Sequence, residues 1–414
     1  MKYILKCVTC SQEYRSDPII LTCSRCGPFK GTLDVIYPLD EIKGVFPNKL
    51  ASLGNRPVFE AFLPILPIAN LTNLPPLLVG DTPMFQSPGL SRLTGLTNLW
   101  LKDDGRNPSA SFKDRASAIA LAMAKEAGAS IIAAASTGNA ASSLATLAAS
   151  VALKAVLFVP RTIPKPKLVQ LLIHEAKVLK LDCDYDRAFD LCQLACKKFG
   201  WYNRNTAVNP FTGEGKKTAA LEIARDLGQA PDVVICPVGD GCIISGLYKG
   251  FSDLEKLGLI DHMPRLYGIQ AEGANPLVRA FDNNSEIKPI QIINTIADSI
   301  SVGYPRDGVK ALRAVRNTDG AMISVSDDEI LQAQKPLAAK GGVFAEPAAS
   351  ASLAGLLKLG DMKSINSKEK VVLLITGHGL KDIDTALKNI RIDTKIVKPD
   401  INSVENEINQ LLKE

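Results

Sequence analysis

The chain alternates two kinds of segment, and that alternation limits its fold more than any other feature. Eight short β-rich runs stand out: LWLKDD (99–104), SIIAAAS (130–136), KAVLFVP (154–160), AKVLKLD (176–182), DVVICPV (232–238), LYGIQAEG (266–273), AMISVS (321–326) and VVLLITG (371–377). Between them lie stretches with helical periodicity, such as DRASAIALAMAKEAG (114–128) and DEILQAQKPLAAKGG (328–342). Strands separated by helices of this length predict an α/β protein with parallel sheets covered on both faces. Ligands in such folds sit at the carboxyl ends of strands, so the turns leaving each strand are where function is sought. With 414 residues the chain is long enough for two such domains and an appendage. No internal repeat is present, and residues 57–83 form a loosely apolar, Pro-rich linker.

Charge and composition remove several classes of function. The formal net charge is +5, from 48 basic and 43 acidic residues, with no stripe of Lys and Arg interleaved with aromatics. Arg161, Lys165 and Lys167 are separated by prolines and read as a solvated loop, so no nucleic-acid partner is expected. No apolar run approaches the roughly 18 residues that cross a bilayer, and no membrane partner is expected. The start, MKYILKCVTC, has too short an apolar stretch for a signal peptide, so a cytoplasmic protein is expected. Only three histidines occur, too few for a His-rich metal site.

Cys7, Cys10, Cys23 and Cys26 form C-x2-C-x12-C-x2-C. Two thiol pairs at that spacing suit a closed tetrahedral zinc site of structural type. Free-thiol turns and disulfides are the other readings of the same spacing. The intervening SQEYRSDPIILT reads as a short hairpin. The remaining cysteines show no paired spacing and read as small buried hydrophobes.

Four places carry chemistry. SASFKDRAS (109–117) sets Lys113 among small and apolar neighbours, where partial burial would lower its pKa and make it a nucleophile. At the exit of one strand, Ser136-Thr137-Gly138-Asn139 turns into an Ala/Ser helix, a seat for an anion, with a plain N-cap by Asn139 as the simpler alternative. At another, Gly239-Asp240-Gly241-Cys242-Ile243 opens a helix as a nest of amides suited to a phosphate. A bare tight turn would look the same, the third glycine and downstream acid of a dinucleotide fingerprint are missing, and Asp240 has to point away from any anion. The last strand delivers Thr376, a hydroxyl at a buried strand end, and then His378 between glycines, either a general base or a structural turn.

A reactive lysine, a phosphate cup, an anion seat and a strand-end hydroxyl together suit pyridoxal 5'-phosphate. SASFKDR, STGN, the glycine loop, EPAASASLAGL and TGHGLKD, in this order, resemble the fold-type II pyridoxal-phosphate enzymes (tryptophan synthase β-like). Among them the chain is most similar to the threonine synthase family, whose members often carry an N-terminal cysteine-knuckle ribbon. The resemblance runs from about residue 80 to 392, with the ribbon in addition. It implies a ribbon at 1–37, a large cofactor-binding α/β domain from 38–125 and 214–395, a smaller α/β domain at 126–213, and a C-terminal helix at 396–414. It also implies a homodimer acting on a small amino-acid substrate. Lys113 would hold the cofactor as an imine and move protons at the substrate's α and β carbons. Asn139 would bond the cofactor's phenolic oxygen, and Ser136, Thr137 and the neighbouring Ala140 position would receive the substrate. Gly239, Asp240, Gly241, Cys242 and Ile243 would hold the cofactor phosphate through backbone N–H groups, and Thr376 would face the ring nitrogen. The family reaction turns O-phosphohomoserine and water into threonine and phosphate.

The substrate side departs from the family pattern. Members read N-S-V-N-P, then an aromatic or His, then R-[LI]-E-G-Q-K-T, whereas this chain has TAVNPFTGEGKKT. The arginine position is Thr212, the Asn-Ser pair is Thr206-Ala207, and the threonine after S-T-G-N is Ala140. A threonine cannot replace an arginine's bidentate, charge-assisted contact to phosphate. Lys216, Lys217 and Arg115 are the cations available to answer for it. Three functions follow from the sequence: a threonine synthase, a related ammonia-lyase or β-replacement enzyme acting on threonine, serine or diaminopropionate, and a zinc-ribbon binding protein with a dead catalytic domain.

Overall fold

The computed structural model describes residues 2–390, 394 and 396–412, so the far limits expected for the ribbon, the large segment and the last helix lie partly outside the described residues. Each of the eight apolar runs forms a strand. They fall into two sheets, with a third sheet at the N-terminus.

The N-terminal sheet is antiparallel, with β1 (Ile4–Cys7) between β2 (Glu13–Arg15) and β3 (Leu33–Ile36). The stretch between the cysteine pairs is therefore not a hairpin by itself. It supplies β2 alone, which pairs back onto β1 across the first knuckle, while Pro18 and Ile19 form a turn after β2. The larger sheet holds β4 (Met84–Gln86), β5 (Asn98–Asp103), β10 (Val233–Pro237), β11 (Arg265–Ala271), β12 (Ala321–Val325) and β13 (Lys370–Ile375), in the order β12-β11-β10-β13-β5-β4. All neighbours are parallel except the edge strand β4. The smaller sheet is wholly parallel, in the order β8 (Lys177–Leu181), β7 (Lys154–Pro160), β6 (Ile131–Ala135), β9 (Tyr202–Asn203). In β13 every residue from Val371 to Ile375 is fully buried, as expected of a strand covered on both faces.

Three helices fix the ground plan of the site. α1 (Lys113–Glu126) is Ala-rich and almost wholly buried, α3 (Phe211–Leu227) crosses it, and α4 (Cys242–Lys256) packs on α3; α2 (Asn139–Ser150) covers the smaller sheet. Gly215 makes the α1–α3 crossing possible, since a Cβ there would meet the carbonyl oxygen of Arg115 at 2.0 Å. Beneath the crossing lies a buried charge network. Arg115 Nε donates to Asp104 at 2.5 Å, its other nitrogens bond Glu222, and Lys102 pairs with Glu222 at 2.7 Å. Burial alone would raise the Glu222 carboxyl, but Arg115 and Lys102 overcome it and hold Glu222 well below the usual carboxylate range. The ribbon docks on the same framework. Tyr37 donates to Glu214 at 2.7 Å, and Asp34 pairs with Lys310 and Arg313 of α5 (Gly308–Arg316) at 3.0 and 2.8 Å.

Candidate active site

Exits from both parallel sheets meet at one cavity of about 780 Å³. Lys113, Ser136, Thr137, Asn139, Ala140, and the whole loop from Gly239 to Ile243 line it. Residues far apart in the chain are thus gathered by strand ends, as parallel sheets require.

Lys113 is the first residue of α1 and partly buried. No hydrogen bond or ion pair engages its Nζ among the described residues. Burial pushes its ammonium below the ordinary lysine value; Cys242 and Asp240 oppose that shift, and Arg204 adds to it. An amine in this state has a larger neutral fraction for attack on a carbonyl.

Gly241 is the hinge of the glycine loop. Its φ is +90°, and a Cβ would meet Ala311 Cβ at 2.7 Å and Asp307 O at 3.0 Å. That conformation starts α4 directly, with no side chain capping its first N–H groups. Uncapped amides at a helix start, beside a cavity, suit a phosphate. Asp240 resolves its own difficulty by turning aside: its carboxylate accepts from Arg306 N at 3.3 Å and its carbonyl from Asp307 N at 3.0 Å. Cys242 is a neutral thiol, pushed up to about 12 by burial.

Asn139 opens α2 but is not a cap for it. Its amide donates to the Glu346 carboxylate at 2.8 and 3.1 Å and to Ser299 Oγ at 3.3 Å. Glu346 stands just before α6 (Pro347–Asp361) and is 5% exposed; burial raises its carboxyl, and the Asn139 contact opposes the rise. Ser136 Oγ accepts from Gly138 N at 3.2 Å, shaping the turn.

Thr376 does not line the cavity. It is buried, and its carbonyl accepts the N–H of Phe112, the residue before Lys113, at 2.9 Å. His378 is a turn residue: its Nδ1 accepts from Leu380 N at 3.1 Å and its ring meets Phe344 edge-on.

The cations expected to answer for the missing arginine separate clearly. Arg115 is committed to Asp104 and Glu222, and Lys217 to Asp253 and Glu214 beneath the Tyr37 ring. Lys216 has no such commitment among the described residues, where it reaches Thr206 Oγ1 at 2.9 Å and Thr212 Oγ1 at 3.5 Å. Two residues escaped the sequence reading, Arg204 on the cavity wall and Glu346 against Asn139. The Glu-Pro pair that opens α6 was the one local sign of Glu346.

In the ribbon, the Sγ atoms of Cys7, Cys10, Cys23 and Cys26 all lie within 4.8 Å of one another. Tyr14 donates to Cys23 at 3.2 Å. Against the effect of burial, this bond and backbone amides lower the Cys23 thiol to about 6.

A pyridoxal-phosphate dependent enzyme family model matches residues 76–377. The threonine synthase of Methanocaldococcus jannaschii is 37% identical over 409 residues, covering 98% of this chain and 99% of that protein. The chain belongs to the threonine synthase family of pyridoxal-phosphate-dependent enzymes. Threonine synthase from Methanosarcina acetivorans is 38% identical over 98% of both chains, and that of Mycobacterium tuberculosis 39% identical over 80% of this chain. Solved structures agree on the fold. Tomato threonine deaminase isoform 2 superposes with a TM-score of 0.66 at 20% identity, covering 82% of this chain and 94% of its own. Diaminopropionate ammonia lyase from Escherichia coli gives 0.64 at 18%, covering 82% and 92%.

Proposed function

We propose that the protein is a threonine synthase that converts O-phosphohomoserine and water to threonine and orthophosphate at the cavity around Lys113. The observation that supports this reading best is the convergence on one cavity of a carboxylate-free lysine and an uncapped glycine loop, in a chain sharing nearly its full length with threonine synthases. The residues fit the cofactor. The amides of Gly241, Cys242 and Ile243 would hold its phosphate, Lys113 would join its aldehyde carbon, and Asn139 would lie toward its phenolic oxygen. Bound pyridoxal phosphate supplies an electron-withdrawing ring that acidifies the substrate's Cα and Cβ hydrogens.

The chain's own residues do the rest. Ser136, Thr137 and the free N–H groups at the start of α2 receive the substrate carboxylate and hold its Cα beside Lys113. Lys113, neutral once displaced by substrate, takes the Cα proton and serves Cβ in turn. The Cγ–O bond to phosphate then breaks, and orthophosphate leaves with the bonding pair. Water adds at Cβ, and the ammonium of Lys113 returns protons to carbon, giving threonine. Glu346 holds the Asn139 amide in one orientation through two bonds.

We also propose that the four cysteines bind one structural zinc, since four sulfurs that close together match tetrahedral ligation. No helix among the described residues is long and apolar enough to cross a membrane. A cytoplasmic homodimer is proposed on the family resemblance. The deciding experiment incubates the holoenzyme with O-phosphohomoserine, threonine, serine and diaminopropionate in parallel. Threonine and orthophosphate in equal amounts from the first substrate support the reading. Ammonia and a 2-oxo acid from the others, without threonine formation, would replace it with an ammonia-lyase.

A further inference from the structure

We propose that Lys216 and Arg204, with the hydroxyl of Thr206, form the seat for the substrate's phosphate, replacing the arginine that Thr212 cannot supply. The proposal rests on the threonine synthase reading above.

Both cations are 1% exposed. A buried charge is costly unless something neutralises it. The fully buried Lys102, Arg115 and Lys217 each have a carboxylate at 3.0 Å or less. Lys216 has none within ion-pair distance among the described residues; its neighbours are the hydroxyls of Thr206 and Thr212. Thr206 and Arg204 line the cavity, and Arg204 is held there by Ser117 Oγ at 3.2 Å. Burial lowers Lys216 to about 8; Cys242 and Asp307 oppose the shift, and Arg204 and Lys113 add to it. Lys113 and Arg204 line one wall of the cavity, and Lys216 stands behind it, bonded to Thr206. Such a wall is unfavourable when empty and favourable under a dianion.

Counting anions leads to the same wall. A phosphate monoester carries about −1.5 to −2 at pH 7. The glycine loop and the start of α4 answer one such group. A phosphorylated substrate brings a second, and at the cavity Lys167 is paired with Asp298 and Arg306 with Asp186. The hydrogen bond of Lys216 to Thr206 places its ammonium at the cavity's edge, and 3.5 Å from Thr212 Oγ1 it stands one helical turn from the missing arginine's position. The charge has moved along α3 from residue 212 to residue 216.

Lys216→Gln, Lys216→Arg, Arg204→Gln and the double variant T212R/K216Q, all as holoenzymes, test the seat with O-phosphohomoserine and inorganic phosphate. Losing one charge-assisted contact should raise KM for the phosphorylated substrate about 10- to 100-fold, more than kcat falls. The inhibition constant of inorganic phosphate should rise with it in Lys216→Gln and Arg204→Gln. The cofactor's absorbance and dissociation constant should stay as in the parent, which also certifies folding. Lys216→Arg and T212R/K216Q should recover most of the affinity. Unchanged KM and phosphate inhibition in both Gln variants would overturn the proposal. So would weakened cofactor binding with KM unchanged, which would give these cations to the cofactor's phosphate. If the parent enzyme makes no threonine, the functional reading has failed and the seat is read from inorganic phosphate alone. Perturbation of the cofactor spectrum that Lys216→Gln weakens supports it, and an equal perturbation in both overturns it.

Discussion

Gly241→Ala should cripple cofactor binding while leaving the fold in place. Gly241 has φ +90°, where a Cβ costs about 1–2 kcal/mol. The new methyl would also lie 2.7 Å from Ala311 Cβ and 3.0 Å from the carbonyl of Asp307. Asp307 cannot yield freely, because its N–H holds Asp240 O on the other side of the loop. Overpacking of this kind costs about 1–3 kcal/mol. The loop relieves the sum, about 2–5 kcal/mol, by leaving the conformation that aims the amides of Cys242 and Ile243 into the cavity. Cofactor binding must then restore it, which at 1.4 kcal/mol per decade weakens affinity roughly 30- to 4000-fold. Absorbance titration of apoprotein with pyridoxal phosphate measures this directly. Gly228→Ala is the control, with φ +70° and no atom within 4 Å of the added Cβ. It should lose about 1 kcal/mol of stability and no cofactor affinity. If Gly241→Ala binds the cofactor as tightly as the parent, the loop is not the phosphate cradle.

Other expectations follow from the buried charges and the ribbon. Arg115→Leu strands Asp104 in the core and leaves Glu222 with Lys102 alone, and should cost about 3–5 kcal/mol in denaturant unfolding; a loss below 1 kcal/mol would contradict the network's role. Lys216, facing Arg204, Lys113, Cys242 and Asp307, has a folded pKa of about 8 against 10.5 unfolded, so the unfolded chain binds more protons between those values. Stability relative to Lys216→Met should therefore be poorest below pH 8 and rise from pH 8 to 10.5, and a flat difference would refute the shift. Metal analysis should find about one zinc per chain, lost in the Cys7→Ser/Cys10→Ser variant, with the cofactor spectrum kept because Asp34 still ties the ribbon to α5. Protein prepared without chelator and free of zinc would contradict this.

Much of the fold is legible in the chain because each buried parallel strand is an unbroken apolar run, as KVVLLI shows in β13. Outside the N-terminal sheet, the strands that were not anticipated are those too short for periodicity, β4 with three residues at an edge and β9 with two. The ribbon misled for a related reason, since β2 finds its partner across a cysteine knuckle and not within its own segment. At the site, Lys113, Asn139 and Gly241 are legible because turn chemistry marks strand exits locally. Arg204 and Glu346 are not, for each acquires its meaning from a partner far away in sequence, Ser117 and Asn139 respectively. Lys216 was one cation among three, set apart by the lack of a carboxylate at ion-pair distance among the described residues.

The central claim is that this cavity breaks a carbon–oxygen bond to phosphate and puts water's oxygen on the neighbouring carbon. Turnover of O-phosphohomoserine in water enriched in oxygen-18 tests it directly, with both products read by mass spectrometry. One labelled oxygen in the threonine hydroxyl and none in the released orthophosphate is the result expected, and Lys113→Ala should give neither product. Label in orthophosphate, with homoserine as the organic product, would show simple ester hydrolysis and contradict the account.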